Sequence, residues 1–387
     1  MNRGLSTLAL VALLGAGIAA GVGLAARLDG GAGSDPRSLD AALTLQSTFN
    51  RAAAVATQAV VHITTSEDSN FNGNVGSGDN VGSGVIVTRE GHLVTNYHVI
   101  RGARGCRVRF VDGSEYTGVV VGMDLESDLA VVKIDAGGKE LTPIVFADSD
   151  RARVGDVVFA IGSPFGYTHT VTSGIVSAKH RRLEFGKPYE DYLQTDAAIN
   201  PGNSGGALVN LKGELVGLNT AIVSRNRASD GVGLAIASNL VKWVQERLIR
   251  DGVVRRGYLG ITPMDLDLKS LEHNGLGSDP VLGGARTPEE LARKLKLRDT
   301  SGVLIVGVKP ASPAARVGLR PYDVIVEFDG RPVRNRHEFF FQVAEVAPGR
   351  TIRLKYRREG KLIEAEVVLA ERVPDLRPDP FPPETPK

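Results

Sequence analysis

A hydroxyl wrapped in glycine stands in the stretch Gly202, Asn203, Ser204, Gly205, Gly206, approached through Thr195, Asp196, Ala197, Ala198, Ile199, Asn200 and Pro201. Serine is a weak nucleophile, and its attack on a carbonyl needs backbone N–H groups packed closely enough to hold the charge that develops on oxygen. Glycine, lacking Cβ, permits that approach. The pentapeptide alone also suits a plain turn, so chemistry requires partners: a base to take the hydroxyl proton and an acid to orient that base. His98 interrupts the apolar run 93–99 where a strand should give way to a turn, and Asp128 stands at the mouth of another apolar run, 129–134. Singly, His98 suits a structural histidine and Asp128 a turn former. Together the three supply nucleophile, base and orienting carboxylate for acyl transfer.

Chain order constrains the scaffold that could carry these three groups. The order His, Asp, Ser runs along chymotrypsin-like double barrels, whereas subtilisins and α/β-hydrolases order the same groups differently. Apolar runs here alternate with turns such as Asp112–Gly113, which suits antiparallel strands better than βαβ units. The segments 95–99, 127–134, 162–166 (Gly, Ser, Pro, Phe, Gly), 170–178 and 194–208 together resemble the HtrA/Deg family of serine proteases, and the resemblance covers almost everything after residue 40. It implies a mainly β chain, with a chymotrypsin-like double antiparallel β-barrel over 41–250 followed by one α+β PDZ domain over 257–372. It also implies His98 as base, Asp128 as orienting carboxylate, Ser204 as nucleophile, and the N–H groups of Gly202 and Ser204 as the oxyanion hole.

Substrate preference is partly legible. In trypsin-like barrels the base of the primary specificity pocket lies six residues before the serine, and here that residue is Ala198, which cannot pair with Lys or Arg. The walls that the resemblance implies are Ile199 and the run 233–236 with Leu234 and Ile236, all apolar, so small or medium aliphatic residues are expected at the cleaved position; the same residues would also suit a core.

The PDZ expectation rests on Tyr258, Leu259, Gly260 and Ile261, which resemble a carboxylate-binding loop, and on the blocks 301–308, 310–315 and 318–325. Such a domain adds a C-terminal peptide as an extra strand. The groove's second wall is expected near residues 337–346, where Phe339, Phe340 and Phe341 cannot all face inward. The connection 264–286 is longer than the family's usual one.

At the other end, an uncharged stretch from Gly4 to Ala26 is about long enough to cross a hydrocarbon core of roughly 30 Å. Residues 1–28 are therefore expected to anchor the chain in the inner membrane, with a cleavable secretory signal as the alternative, since four glycines lower the hydrophobicity. Either way residues 1–28 export the catalytic unit. Residues 29–40 read as a flexible linker, and 41–59 as a helix with Leu45, Phe49 and Ala53 on one face. By resemblance this segment helps to assemble a homotrimer, Phe49 serving as a subunit contact or packing on the barrel. Surface loops are expected at 65–82, 179–191 and 224–231, and a proline-rich tail at 373–387.

The 387 residues suggest two or three domains, and 42% hydrophobic with 23% charged residues is ordinary globular composition. A net charge of +2 gives no electrostatic case for nucleic acid. The Arg181–Arg182 and Arg255–Arg256 pairs read as solvated faces. The single cysteine, Cys106, cannot form an intramolecular disulfide. Neither a metal motif, a P-loop nor a dinucleotide fingerprint occurs, so no cofactor is expected. The leading function is an ATP-independent extracytoplasmic endoprotease acting on misfolded or unfolded proteins, with the PDZ domain binding C-termini. A dedicated stress sensor cutting one membrane regulator is the variant within that class. A non-proteolytic holdase or PDZ scaffold is the competing class, separated by whether a fluorophosphonate labels Ser204.

Overall fold

The computed structural model describes residues 36–65, 80–103, 105–163, 170–182, 189–222, 231–297 and 299–373. The apolar stretch 4–26, most of the loops at 65–82 and 224–231, residues 183–188 of the loop at 179–191, and nearly all of the tail lie outside them. Among the described residues no helix is long and apolar enough to cross a membrane.

Two closed six-stranded antiparallel barrels follow one another. The first runs in the order β1 (Val60–Thr65), β2 (Asn80–Ile86), β3 (His92–Asn96), β6 (Leu129–Ile134), β5 (Glu115–Asp124) and β4 (Gly105–Arg109). In the second the order is β10 (Ala207–Val209), β11 (Leu215–Ile222), β12 (Gly233–Ala237), β9 (Tyr192–Thr195), β8 (Thr170–Arg181) and β7 (Val157–Gly162). Closure leaves no unpaired edge in either sheet. Turn chemistry drives the reversals: between β4 and β5, Asp112 Oδ1 accepts the Ser114 N–H at 2.9 Å while Gly113 takes φ +83°, a conformation glycine adopts without cost. Ile63, Leu93 and Val131 of the first barrel share one buried cluster with Leu218, Leu234 and Ile236 of the second, and with Val241, Val244 and Leu248 of the helix Ser238–Asp251. The barrels are therefore fixed to each other by common apolar burial. Cys106 sits inside this core, where burial pushes its thiol up to about 12 and leaves it unreactive.

The helix Pro36–Thr57 begins inside the expected linker. Its buried face is Ala52 and Ala56 with half-buried Phe49, not Leu45, Phe49 and Ala53: Leu45 is exposed, and Phe49 meets the Phe159 ring edge-on at 5.1 Å. Alanine at two of these positions lets the helix axis approach the barrel.

A C-terminal six-stranded sheet has the main order β14 (Ile261–Asp265), β15 (Val303–Val308), β16 (Val324–Phe328), β18 (Thr351–Arg358) and β19 (Lys361–Val368). The hairpin partner β17 (Arg331–Pro332) pairs with β16, and β13 (Gly257–Tyr258) pairs with β20 (Ala370–Glu371). The long connection after β14 carries the short helices Leu268–His273 and Pro288–Lys294 and closes its own cluster of Met264, Leu271, Leu282, Leu291 and Leu304.

Arg256 corrects the reading of a solvated pair. Its side chain is only 2% exposed, bonded to both carboxylate oxygens of Asp124 and 3.6 Å from Glu126, which also receives Arg372 Nε at 2.7 Å. Tyr189 lies under both guanidinium groups, at 4.3 and 5.6 Å. The junction between the barrels and the C-terminal domain is thus tied to the turn 124–128. Removing one member of a buried ion network leaves the others desolvated and unpaired. Arg256→Ala is expected to lower stability by about 3–5 kcal/mol, read by urea denaturation through the fluorescence of Trp243, the single tryptophan. A loss below about 1 kcal/mol would mean that water refills the site.

Candidate active site

Asp128 lies in the turn between β5 and β6, at φ +58°. That uncommon conformation is held by its own carbonyl, which accepts the Tyr97 N–H at 3.0 Å and Asn96 Nδ2 at 3.1 Å. Its side chain is 6% exposed and accepts from the His98 N–H at Oδ1 (3.2 Å), and from His98 Nδ1 (2.8 Å) and Thr220 Oγ1 (2.9 Å) at Oδ2. A carboxylate only accepts, so Nδ1 carries the hydrogen and Nε2 is left with a lone pair. His98 itself is the second residue of the short helix Tyr97–Ile100 at the end of β3, and its side chain is 35% exposed.

Ser204 comes from the other barrel, between β9 and β10, and its Oγ donates to the Thr220 carbonyl at 3.1 Å. Thr220 on β11 therefore touches both ends of the group, its hydroxyl on Asp128 and its carbonyl under Ser204. Nothing in the sequence marked Thr220, because a threonine inside an apolar strand reads as a strand former.

The turn before Ser204 closes through the Asn203 N–H on the Asn200 carbonyl at 2.9 Å, with Pro201 and Gly202 at its centre. Pro201 fixes φ near about −65° and Gly202 takes φ +98°, which together define a type II turn. A type I turn would rotate the Pro201–Gly202 peptide the other way, and it is this peptide's N–H that an oxyanion would meet. Ser83 of β2 holds the loop: its Oγ donates to the Gly202 carbonyl (2.7 Å) and accepts from the Ser163 N–H (2.9 Å), while its N–H donates to the Ser204 carbonyl (2.8 Å). Among the described residues, the N–H groups of Gly202 and Ser204 donate to no protein acceptor. The glycine wrapping has a steric cause. A Cβ on Gly205 would lie 2.1 Å from the Ser83 carbonyl oxygen, and one on Gly206 would lie 2.2 Å from that of Ile161.

The four residues expected at the specificity pocket are not gathered in the same way. Ala198 is half-buried and its carbonyl accepts Thr172 Oγ1 at 2.8 Å. Ile199 joins Ala235 in the interior of the second barrel, whereas Leu234 and Ile236 point to the opposite face of β12, into the core shared with the first barrel.

Comparison with known proteins agrees with this architecture. The trypsin-like peptidase domain model matches residues 82–218 and the PDZ domain model residues 257–369. A solved structure of the HtrA-type protease AlgW with tripeptide is 39% identical, covers 84% of this chain and 98% of its own, and superposes with a TM-score of 0.71. The chain belongs to the HtrA family of serine proteases. The probable periplasmic serine endoprotease DegP-like of Chlamydia muridarum is 42% identical over 290 residues, and the periplasmic serine endoprotease DegP of Escherichia coli K12 is 40% identical over 292. Each alignment takes in 75% of this chain but only 54% and 57% of the respective relatives, so this HtrA chain spans just over half of their length.

The PDZ loop of this HtrA protease is built as a strand entry. Gly260 takes φ +85° with Ser312 so close that a Cβ would lie 2.2 Å from the serine Cβ, and the carbonyls of Leu259 and Gly260 accept the N–H groups of Ala314 and Lys309, both at 2.9 Å. Ile261 then opens β14, the edge of its sheet, which packs beside the helix Arg336–Glu345. Of the three phenylalanines, Phe339 is buried against Phe328 at 5.9 Å, while Phe340 and Phe341 meet Tyr189 of the protease unit at 6.4 and 6.1 Å.

Proposed function

We propose that this chain is an ATP-independent, extracytoplasmic serine endoprotease of unfolded or misfolded proteins, cleaving through an acyl-enzyme. The continuous chain Ser204–Thr220–Asp128–His98 supports this reading above all. One hydroxyl hydrogen serves one acceptor, so Ser204 Oγ leaves the Thr220 carbonyl as it turns toward Nε2 of His98. His98 takes the proton as Oγ attacks the scissile carbonyl, Asp128 and the Thr220 hydroxyl hold the imidazolium that forms, and His98 returns the proton to the leaving amine. Water then repeats the sequence on the acyl-enzyme. The N–H groups of Gly202 and Ser204 receive the oxyanion in both halves.

Tyr258, Leu259, Gly260 and Ile261 would receive the carboxylate of a substrate or activating C-terminus, the peptide extending along the open edge of β14. Absence of an acidic group at Ala198 argues against cleavage after basic residues. Homotrimer assembly through the helix Pro36–Thr57 is part of the proposal, consistent with its exposed Leu43 and Leu45. The test is digestion of an unfolded generic protein by the wild type, with and without the PDZ domain. Broad cleavage that labelling of Ser204 by a fluorophosphonate abolishes supports the reading, and failure to label even with an activating C-terminal peptide overturns it.

Gly202→Ala tests the oxyanion turn. A Cβ at φ +98° drives the central peptide toward the type I arrangement and turns the N–H away. The expected result is a fall in kcat of about 10²–10³-fold with KM nearly unchanged, the effect of one lost oxyanion donor. A variant with kcat within a factor of three of wild type would remove Gly202 from the mechanism.

A further inference from the structure

Three side chains with no part in acyl transfer converge at the seam between the second barrel and the PDZ domain. His180 stands near the end of β8, Asp191 immediately precedes β9, and His337 lies in the first turn of the helix Arg336–Glu345. His180 Nδ1 is 3.0 Å from Asp191 Oδ1, His337 Nε2 is 4.0 Å from the same oxygen, and one ligand atom from each residue lies within 4.8 Å of the others. The backbone is specialised at this point. His180 takes φ +53° where the β8–β9 register shifts between Ala178 and Arg181, and such a bulge re-aims the side chain it carries. Asp191 is anchored by its carbonyl, which accepts the Ala237 N–H at 2.9 Å.

We propose that His180, Asp191 and His337 form a binding site for a divalent transition-metal ion of the Zn²⁺ type, with solvent as the fourth ligand, that clamps the PDZ helix to the barrel. Two imidazoles and a carboxylate are a common zinc donor set, and bonds of about 2.0–2.1 Å place tetrahedral ligands roughly 3.3 Å apart. The two separations from Asp191, 3.0 and 4.0 Å, bracket that value and the two histidine nitrogens lie within 4.8 Å of each other, so side-chain rotations close the site. The nitrogen donors select against Mg²⁺ and Ca²⁺, which prefer oxygen. Charges around the cluster are mixed: Arg182 and Arg336 oppose a cation, while Glu190 and Glu338 favour one. The side chains are 51%, 13% and 23% exposed in the order His180, Asp191, His337, which leaves an entry path from solvent. The three ligands come from separate segments, so no local metal motif announces them.

The experiment is a Zn²⁺ titration of the chelator-stripped full chain in competition with a chromophoric chelator, repeated on His180→Ala and His337→Gln. One equivalent per chain is expected, with micromolar affinity that falls at least tenfold in each variant and does not yield to millimolar Mg²⁺. Zn²⁺ should also slow amide hydrogen exchange in the helix Arg336–Glu345 in the wild type and in neither variant; this readout is independent of proteolysis and reports that the variants are folded. Absence of binding in the wild type, or affinity unchanged in both variants, overturns the proposal and leaves a His180–Asp191 hydrogen bond beside a packed His337.

Discussion

Ser204→Ala is expected to reduce turnover of an unfolded protein substrate by at least about 10⁴-fold while leaving the thermal midpoint within a degree or two of wild type. Both halves follow from the same contacts. In the proposed mechanism the hydroxyl is the atom that becomes acylated, and removing a member of such a nucleophile–base–acid unit leaves only the rate supplied by the oxyanion donors and by binding. In the folded chain its Oγ makes one hydrogen bond, to the Thr220 carbonyl, and the loop is held instead by the Ser83 contacts to the Gly202 and Ser204 carbonyls, which alanine retains. The measurement is kcat on a denatured generic substrate together with a calorimetric scan. Residual activity within a hundredfold of wild type would assign the nucleophile elsewhere, and a midpoint lowered by ten degrees would show that the hydroxyl is structural.

What singled out Ser204, His98 and Asp128 in the sequence was their setting: Ser204 is wrapped in glycine, His98 breaks an apolar run where a strand should end, Asp128 stands at the mouth of another, and the three occur in a single order. The closing of two antiparallel barrels follows from the same runs and turns. The residues that complete the site were not legible. Thr220 lies within a strand and looks like any β-branched residue, and Ser83 is buried in a glycine-rich stretch whose partners come from about 80 and 120 positions away, a distance no local pattern spans.

The misread residues share a cause. Arg255 and Arg256 are adjacent and identical in type, yet only Arg256 meets Asp124, 132 positions earlier, and is buried by that pairing. For the helix Pro36–Thr57, helical spacing offers several stripes of three residues, and the ring of Phe159 selects the one with Ala52 and Ala56. Along β12 every residue of the run 233–236 is apolar, which suits a pocket wall, but strand alternation sends Leu234 and Ile236 away from Ile199. In each case the sequence pattern limits which faces exist, and the choice among them is made by a group far away along the chain.

Asp128→Asn is expected to cost about 10⁴-fold in kcat with the fold intact, because the site dictates which way the new amide points. The backbone N–H of His98 donates to Oδ1, and a backbone donor cannot turn around. The amide oxygen must take that position, which puts the NH₂ group at the Oδ2 position, facing His98 Nδ1 and the Thr220 hydroxyl. Threonine can rotate to accept, but the imidazole must surrender its Nδ1 hydrogen and carry it on Nε2 instead. An imidazole protonated at Nε2 has no lone pair for the Ser204 proton, so general-base catalysis fails although every heavy atom keeps its place. The backbone gives no competing cause of failure, since asparagine tolerates the φ of +58° at this position as well as aspartate does. Nitrogen-15 NMR of the labelled imidazole reads the tautomer directly alongside kcat and the thermal midpoint. An Nδ1–H tautomer in the variant, or a loss of less than tenfold, would mean that Asp128 contributes charge alone and does not set the proton's position.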